Sequence, residues 1–429
     1  MKILRTTDRN FRYDFGKVFK RQFLAQESAL ANVDDILDDI KRIGDQALIK
    51  YTSKFDLHEL NTRTMEVSAK EINHALKTVS ASDKKALEIA ADNIEKFYKQ
   101  QKITPTIYKN GDVRLELVPR PLERIGIYVP GGKASYPSSV LMAAIPAKVA
   151  GVNEIIMCSP WPSGEHNPAT LVAAHIAGVK KIFKLGGAQA IAAMAYGTKT
   201  IPGVDKIVGP GNIYVTLAKK MVYGEVDVDM IAGPSELVVL SDGSVSPAHV
   251  ASDLLAQAEH DELATTLLLT NNSNYAIRVE GEVRKQTIRL TRKAIAMESI
   301  KKRGLIVLVR TIDEAIDLIN EVAPEHLELC LENAGSYVPR IKNAGAIFVG
   351  PYSPEAIGDY VAGPSHILPT YGSAKYFSVL QVSDFIKTTS VIEYGPAAFK
   401  KYGPVAQQIA ELEGLTGHAH SIELRLKEM

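Results

Sequence analysis

Between residues 128 and 322, short apolar runs alternate with longer amphipathic ones, and this alternation constrains the fold more than any other feature of the chain. In the first half, 154–157, 181–185 and 206–208 read as strands, and 139–150, 168–177, 188–196 and 214–220 as helices. After Ser235 the order recurs: strand 237–240, a helix ending near His260, strand 265–270, a long helix to Ile300, strand 305–309 and helix 312–322. Strands joined through helices pair in parallel and are covered on both faces. The expectation is an α/β protein with two Rossmann-like, incomplete parallel-sheet units and helical N-terminal and C-terminal extensions. No residue-level repeat relates the units, so their likeness rests on element order alone.

Upstream, Val33, Ile36, Leu37, Ile40 and Ile43 have the three-and-four spacing of a helix face. Ser68-Ala-Lys-Glu is a capping box for a helix at 72–76, and 80–99 is a further helix. Residues 113–117 alternate like a strand, and 124–130 form a buried one ending at Gly131-Gly132, where a new domain begins. Near the end, 364–378 is a long irregular stretch, followed by a helix at 404–413, a turn at 414–417 and a charged helix.

With 429 residues there is room for two or three cored domains. Fifty basic and 49 acidic residues leave a net charge of +1, which gives neither nucleic acid nor an anionic membrane a reason to bind. No apolar run reaches the ~18 residues of a membrane span, so a cytoplasmic protein acting on small molecules is expected. Cys158 and Cys330 lack metal-type spacing and read as buried thiols in a reducing compartment.

Three places carry chemistry. Gln257 and His260 stand three residues apart on one helix, off the stripe of Val250, Leu254, Leu255 and Ala258, where imidazole and carboxamide oxygen suit a metal. Read alone, the pair also fits a solvated polar face. In Ala323-Pro-Glu-His, the proline pushes Glu325 and His326 into a fixed, non-helical start. A histidine near its reference pKa of ~6.5 can take a proton from an alcohol; the same four residues also fit a plain helix N-terminus. Finally, Gly186-Gly187 and Gly209-Pro-Gly211-Asn212 follow strands and let the backbone approach a phosphate, although the third glycine of the dinucleotide fingerprint is missing.

The run Asp227-Val-Asp-Met-Ile-Ala-Gly-Pro-Ser-Glu236, leading into Asp253-Leu-Leu-Ala-Gln-Ala-Glu-His-Asp261, resembles the signature of the histidinol dehydrogenases. The likeness extends from Tyr128-Val-Pro-Gly-Gly to Gly414-Leu-Thr-Gly-His418. It implies one zinc ion per subunit on Gln257, His260, Asp359 and His418. It makes Glu325 and His326 the acid and base residues and places NAD at Tyr128, Gln189 and Asn212. It puts L-histidinol against Ser235, His366 and Glu413 as well as the zinc ligands and the Glu325-His326 pair. It also implies a homodimer with exchanged tails. The domains expected are a helical extension (1–23), a larger domain with metal and catalytic residues (24–127 with 236–380), an NAD-binding domain (128–235) and the exchanged tail (381–429). The rival readings are a paralogue acting on another amino alcohol or polyol, a cysteine-dependent aldehyde dehydrogenase using Cys158 or Cys330, and a zinc-binding protein without turnover.

Overall fold

The computed structural model describes residues 1–18, 27–131 and 136–429, so the expected boundary at 23/24 and Gly132 lie outside the described residues. A six-stranded parallel sheet runs, in spatial order, Lys2–Arg5, Gly304–Leu308, Thr265–Thr270, Glu236–Ser241, His326–Cys330, Ala346–Val349. A five-stranded parallel sheet runs Lys181–Phe183, Glu154–Cys158, Arg124–Tyr128, Lys206–Val208, Asp227–Val228. With the N-terminal strand set aside, the strands of each sheet, numbered along the chain, stand in the same order, 3-2-1-4-5. Two α/β units of one topology are therefore present, as the alternation predicts. Their central strands are buried on both faces; Leu237, Val238, Val239 and Leu240 are at most 1% exposed, which explains the continuous apolar runs.

Several elements differ from expectation. The chain opens on an edge strand, Lys2–Arg5, whose partner lies three hundred residues away at Leu305, before the helix Phe11–Val18. Four residues carry too little pattern to announce a strand whose partner is remote. The helices between 27 and 98 pack on the five-stranded sheet, not on the six-stranded one with which the sequence grouped them: Val33, Ile36, Leu37 and Ile40 share a core with Ile191 and Leu217, and Ile94 and Tyr98 share one with Leu141 and Val172. An apolar stripe says which face is buried but not against what. The long helix to Ile300 is two, Ser273–Thr287 and Lys293–Arg303. Ile386–Tyr394 pairs antiparallel with Val113–Pro121, which also takes Thr106–Asn110. The helix expected from Pro404 already starts at Pro396 and ends at Leu412; a second, Thr416–Lys427, packs on it.

Candidate active site

Glu325 and His326 stand where the helix Ile312–Val322 has ended and a strand begins. Ala323 takes a left-handed φ of 51°, Pro324 blocks further helix, and His326 enters the six-stranded sheet opposite Leu237. Both side chains are buried. The Glu236 N–H donates to Glu325 Oε2 at 2.9 Å, and Ser235 adds a side-chain hydrogen bond. Burial raises the Glu325 carboxyl well above its usual range, against the pull of the Glu236 N–H. His326 Nδ1 lies 3.2 Å from the Glu236 carbonyl oxygen, so Nδ1–H donates there and Nε2 keeps its lone pair, with no protein partner among the described residues. Burial pushes the imidazole from ~6.5 down to about 3 and keeps it neutral, a larger displacement than the unperturbed value the sequence suggests.

Against this pair lies the end of the helix Pro247–Ala258. Gln257, in its last turn, is fully buried with Oε1 unpartnered, and His260, two residues past the end, is half-buried, its Nδ1 3.5 Å from Gln257 Nε2. The alternative of a solvated polar face is excluded for Gln257. Asp359, in the short helix Glu355–Tyr360, has Oδ1 3.9 Å from His326 Nε2. Burial raises its carboxyl to about 6, opposed by His260. His366 has both nitrogens engaged: Nδ1 lies 3.0 Å from the Asp359 carbonyl oxygen and Nε2 3.0 Å from Ser139 Oγ, and burial lowers it to about 4. In this arrangement it holds the Asp359 segment and leaves no ring nitrogen for a ligand.

The five-stranded sheet offers a different surface. Tyr128 ends its central strand, and its hydroxyl accepts the Gly187 N–H at 3.1 Å. Gln189 opens the helix Gly187–Tyr196; it is 1% exposed and neither amide atom has a partner among the described residues. Asn212 caps the helix Ile213–Val222, its Oδ1 accepting from Tyr214 and Val215 N–H. Gly209 has φ 119°, and a Cβ there would stand 2.1 Å from the Tyr128 carbonyl oxygen, so only glycine lets these loops close together. The buried Lys219 bonds the Gly209 carbonyl and Asp229, whose other oxygen takes the Gly209 N–H at 2.7 Å. The three expected cofactor residues line one cavity of about 460 Å³.

The histidinol dehydrogenase family profile matches residues 19–426. A histidinol dehydrogenase of Syntrophotalea carbinolica is 50% identical over 429 residues, all of both chains, and one of Geobacter metallireducens 48% identical over 100% of this chain and 98% of its own. The crystal structure of the enzyme from Elizabethkingia anophelis superposes with a TM-score of 0.93 at 39% identity, covering 100% of this chain and 98% of that one. The chain belongs to the histidinol dehydrogenase family. Members of that family are NAD-dependent oxidoreductases of histidine biosynthesis, and among the described residues His326, Glu355 and Asp359 form a group that could hold a metal ion, sharing Asp359 with the expected ligand set. The donors present fit a divalent cation: Gln257 Oε1 is an orphan, the His260 ring lies beside the Gln257 amide, and the Asp359 carboxylate acts on that ring electrostatically. The orphaned amide of Gln189 likewise fits a cofactor.

Not every residue expected from this family comes together. Glu413 caps the tail helix and His418 lies in the first turn of the next; both are exposed, and among the described residues no hydrogen bond or ion pair joins them to His260 or Asp359. Around them Val405, Ile409 and Leu412 are 53%, 51% and 82% exposed. Beside His326 and Asp359 stands an acid that the sequence does not single out. Glu355 is 3% exposed with both carboxylate oxygens unpartnered, and its ligand atoms and those of His326 and Asp359 all lie within 4.8 Å of one another. Its sequence signal was its place one helical turn before Asp359, on the same face. Cys158 and Cys330 are buried and burial pushes both thiols up, so neither is a thiolate nucleophile.

Proposed function

We propose that this chain oxidises L-histidinol to L-histidine through histidinaldehyde, transferring two hydrides in succession to two NAD, in the cytoplasm. The observation that carries the reading is His326: a neutral imidazole, fixed as the Nδ1–H tautomer by the Glu236 carbonyl, with a buried and unpartnered Nε2 facing the acidic side of the site. That nitrogen takes the hydroxyl proton as hydride leaves the carbinol carbon. The ammonium of the amino alcohol favours the charged form of nearby carboxyls, which returns Glu325 to a carboxylate able to accept a proton from the water that attacks the aldehyde. His326, having released its first proton to solvent, takes one from the hydrate as the second hydride leaves. When bound, NAD supplies the hydride acceptor and zinc, one per subunit, a Lewis-acid template for the amino alcohol.

Gln257, His260 and Asp359 would hold the zinc together with His418 of the partner subunit, and Tyr128, Gln189 and Asn212 would hold NAD. Ser235 and Glu413 complete the substrate's surroundings, Glu413 also from the partner. The exposed apolar tail supports an exchanged homodimer, since such a surface is stable when a second copy covers it.

Two measurements test this. Histidinol and NAD should give two NADH per histidinol, and a chelator should abolish turnover while far-ultraviolet circular dichroism barely changes; turnover that survives chelation overturns the zinc assignment. Mixing refolded His260→Ala and His418→Ala chains, each inactive alone, should restore about a quarter of wild-type activity, because about half of randomly paired dimers are hybrids and each hybrid has one intact site of two. No recovery would mean that each tail serves its own body.

A further inference from the structure

The cavity at the five-stranded sheet holds a carboxylate that nothing above has used. Asp56, the last residue of the helix Asp45–Asp56, lines it beside Gln189 and Asn212. Gly186 N–H supports the carboxyl, Oδ2 is buried with no hydrogen-bond partner among the described residues, and burial lifts the group to about 6. An acceptor buried without a donor is costly unless a ligand brings one. The same cavity is lined by Tyr214, 42% exposed, and by Phe55, whose ring stacks on Tyr51 with centroids 5.8 Å apart. The other charged residues there, Asp35 and Lys54, are both exposed, and the Lys54 ammonium sits over the Phe55 ring at 5.2 Å.

From this placement we infer that Asp56 reads the ribose of the cofactor's adenosine half, accepting its adjacent hydroxyls and excluding a cofactor phosphorylated there. The assignment rests on the reading that NAD occupies this cavity. Three features support it. A vicinal diol presents two O–H donors, the complement of a carboxylate with a free oxygen. The exposed Tyr214 ring in the same cavity suits adenine stacking and so favours the adenosine end, not the nicotinamide end, at this wall. The N-terminus of the helix Gly187–Tyr196 lines the same cavity and its dipole favours the pyrophosphate further along. A phosphate in place of a hydroxyl would set like charges together beside Asp56 at a half-buried site, with the exposed Lys54 the cation among the described lining residues.

The test is the ratio of kcat/KM for NAD+ to that for NADP+, with histidinol, in Asp56→Asn and Asp56→Ser full-length enzyme. The ratio should fall at least tenfold in both, mainly through a higher KM for NAD+. A ratio within twofold of wild type in variants whose circular dichroism is native overturns the inference. Should the variants not fold, 2′-deoxy-NAD+ on the wild-type enzyme gives the same reading: at least tenfold weaker binding than NAD+ supports it and equal binding overturns it. Gln189→Ala separates the two levels. If it raises the KM for NAD+ while the Asp56 ratio stays put, only this inference fails; if it leaves KM unchanged, the cofactor reading of the cavity fails with it.

Discussion

The two parallel sheets share one strand order yet present opposite edges to chemistry. On the five-stranded sheet, Tyr128, Gln189 and Asn212 lie at or just beyond strand C-termini, at the crevice where strand order reverses. On the six-stranded sheet, Glu236 and His326 are the first residues of their strands, and Gln257 is in the last turn of a helix leading into another. In a strand–helix–strand unit the helices run back against the strands, so one edge gathers helix N-termini and the other helix C-termini. The first attracts anions and the second cations. Glu236, Glu325, Glu355 and Asp359 deepen that second field. On the proposed reading, one topology thus serves an anionic cofactor at one edge and a metal and an ammonium substrate at the other.

The contrast breaks most visibly at His326. His326→Asn keeps a polar side chain but loses the base, and kcat should drop about 10³-fold. NAD+ binding, which the proposed reading puts at the other edge, should be unchanged within about twofold by NADH fluorescence. A large change in cofactor affinity with kcat preserved would reverse the division of labour. Glu325→Gln should act on one half-reaction only: with histidinaldehyde supplied, oxidation to the acid slows about 10²-fold while the first hydride transfer, followed as a single turnover, persists. Equal slowing of both would assign Glu325 to a shared step.

At the cofactor edge the expected effect is smaller and of another kind. Gln189→Ala removes an amide whose two polar atoms have no partner among the described residues, each worth about 1 kcal/mol net, so KM for NAD+ should rise roughly thirtyfold with kcat at saturation nearly intact. A fall in kcat without a change in KM would place Gln189 in the chemistry.

Both sheets could be read in the sequence because their strands are buried on two faces and show as unbroken apolar runs between helices. The C-terminal edge of the five-stranded sheet could be read as well, because Gly186-Gly187 and Gly209-Pro-Gly211 follow strands; the use of the opposite edge in the six-stranded sheet could not, since 229–235 and 364–371, which meet through Gly233 and Thr370, have no period. The Pro324 break announced the Glu325-His326 pair. Glu355 and Asp56 were missed for one reason: an acid near a helix end is ordinary on a surface, and only burial without a partner marks it. The tail showed the opposite failure. Glu413 and His418 were found by resemblance, but in a single chain they stay exposed.

The subtlest test concerns what ties the two edges together. Ser139 belongs to the helix Pro137–Ala150, which follows the central strand of the five-stranded sheet, yet its hydroxyl meets His366 Nε2 at 3.0 Å, and His366 in turn holds the Asp359 carbonyl. Because Nδ1–H donates to that carbonyl, Nε2 is an acceptor and the serine must be the donor. Ser139→Ala leaves a buried nitrogen without its proton partner, a loss of about 1 kcal/mol by denaturant unfolding. If the bond also sets where Asp359 stands, kcat/KM for histidinol should fall about fivefold and zinc should bind more weakly by a similar factor, with Ser139→Thr restoring both in part. A stability loss with unaltered histidinol kinetics and zinc affinity would show that the two edges are joined mechanically and work independently.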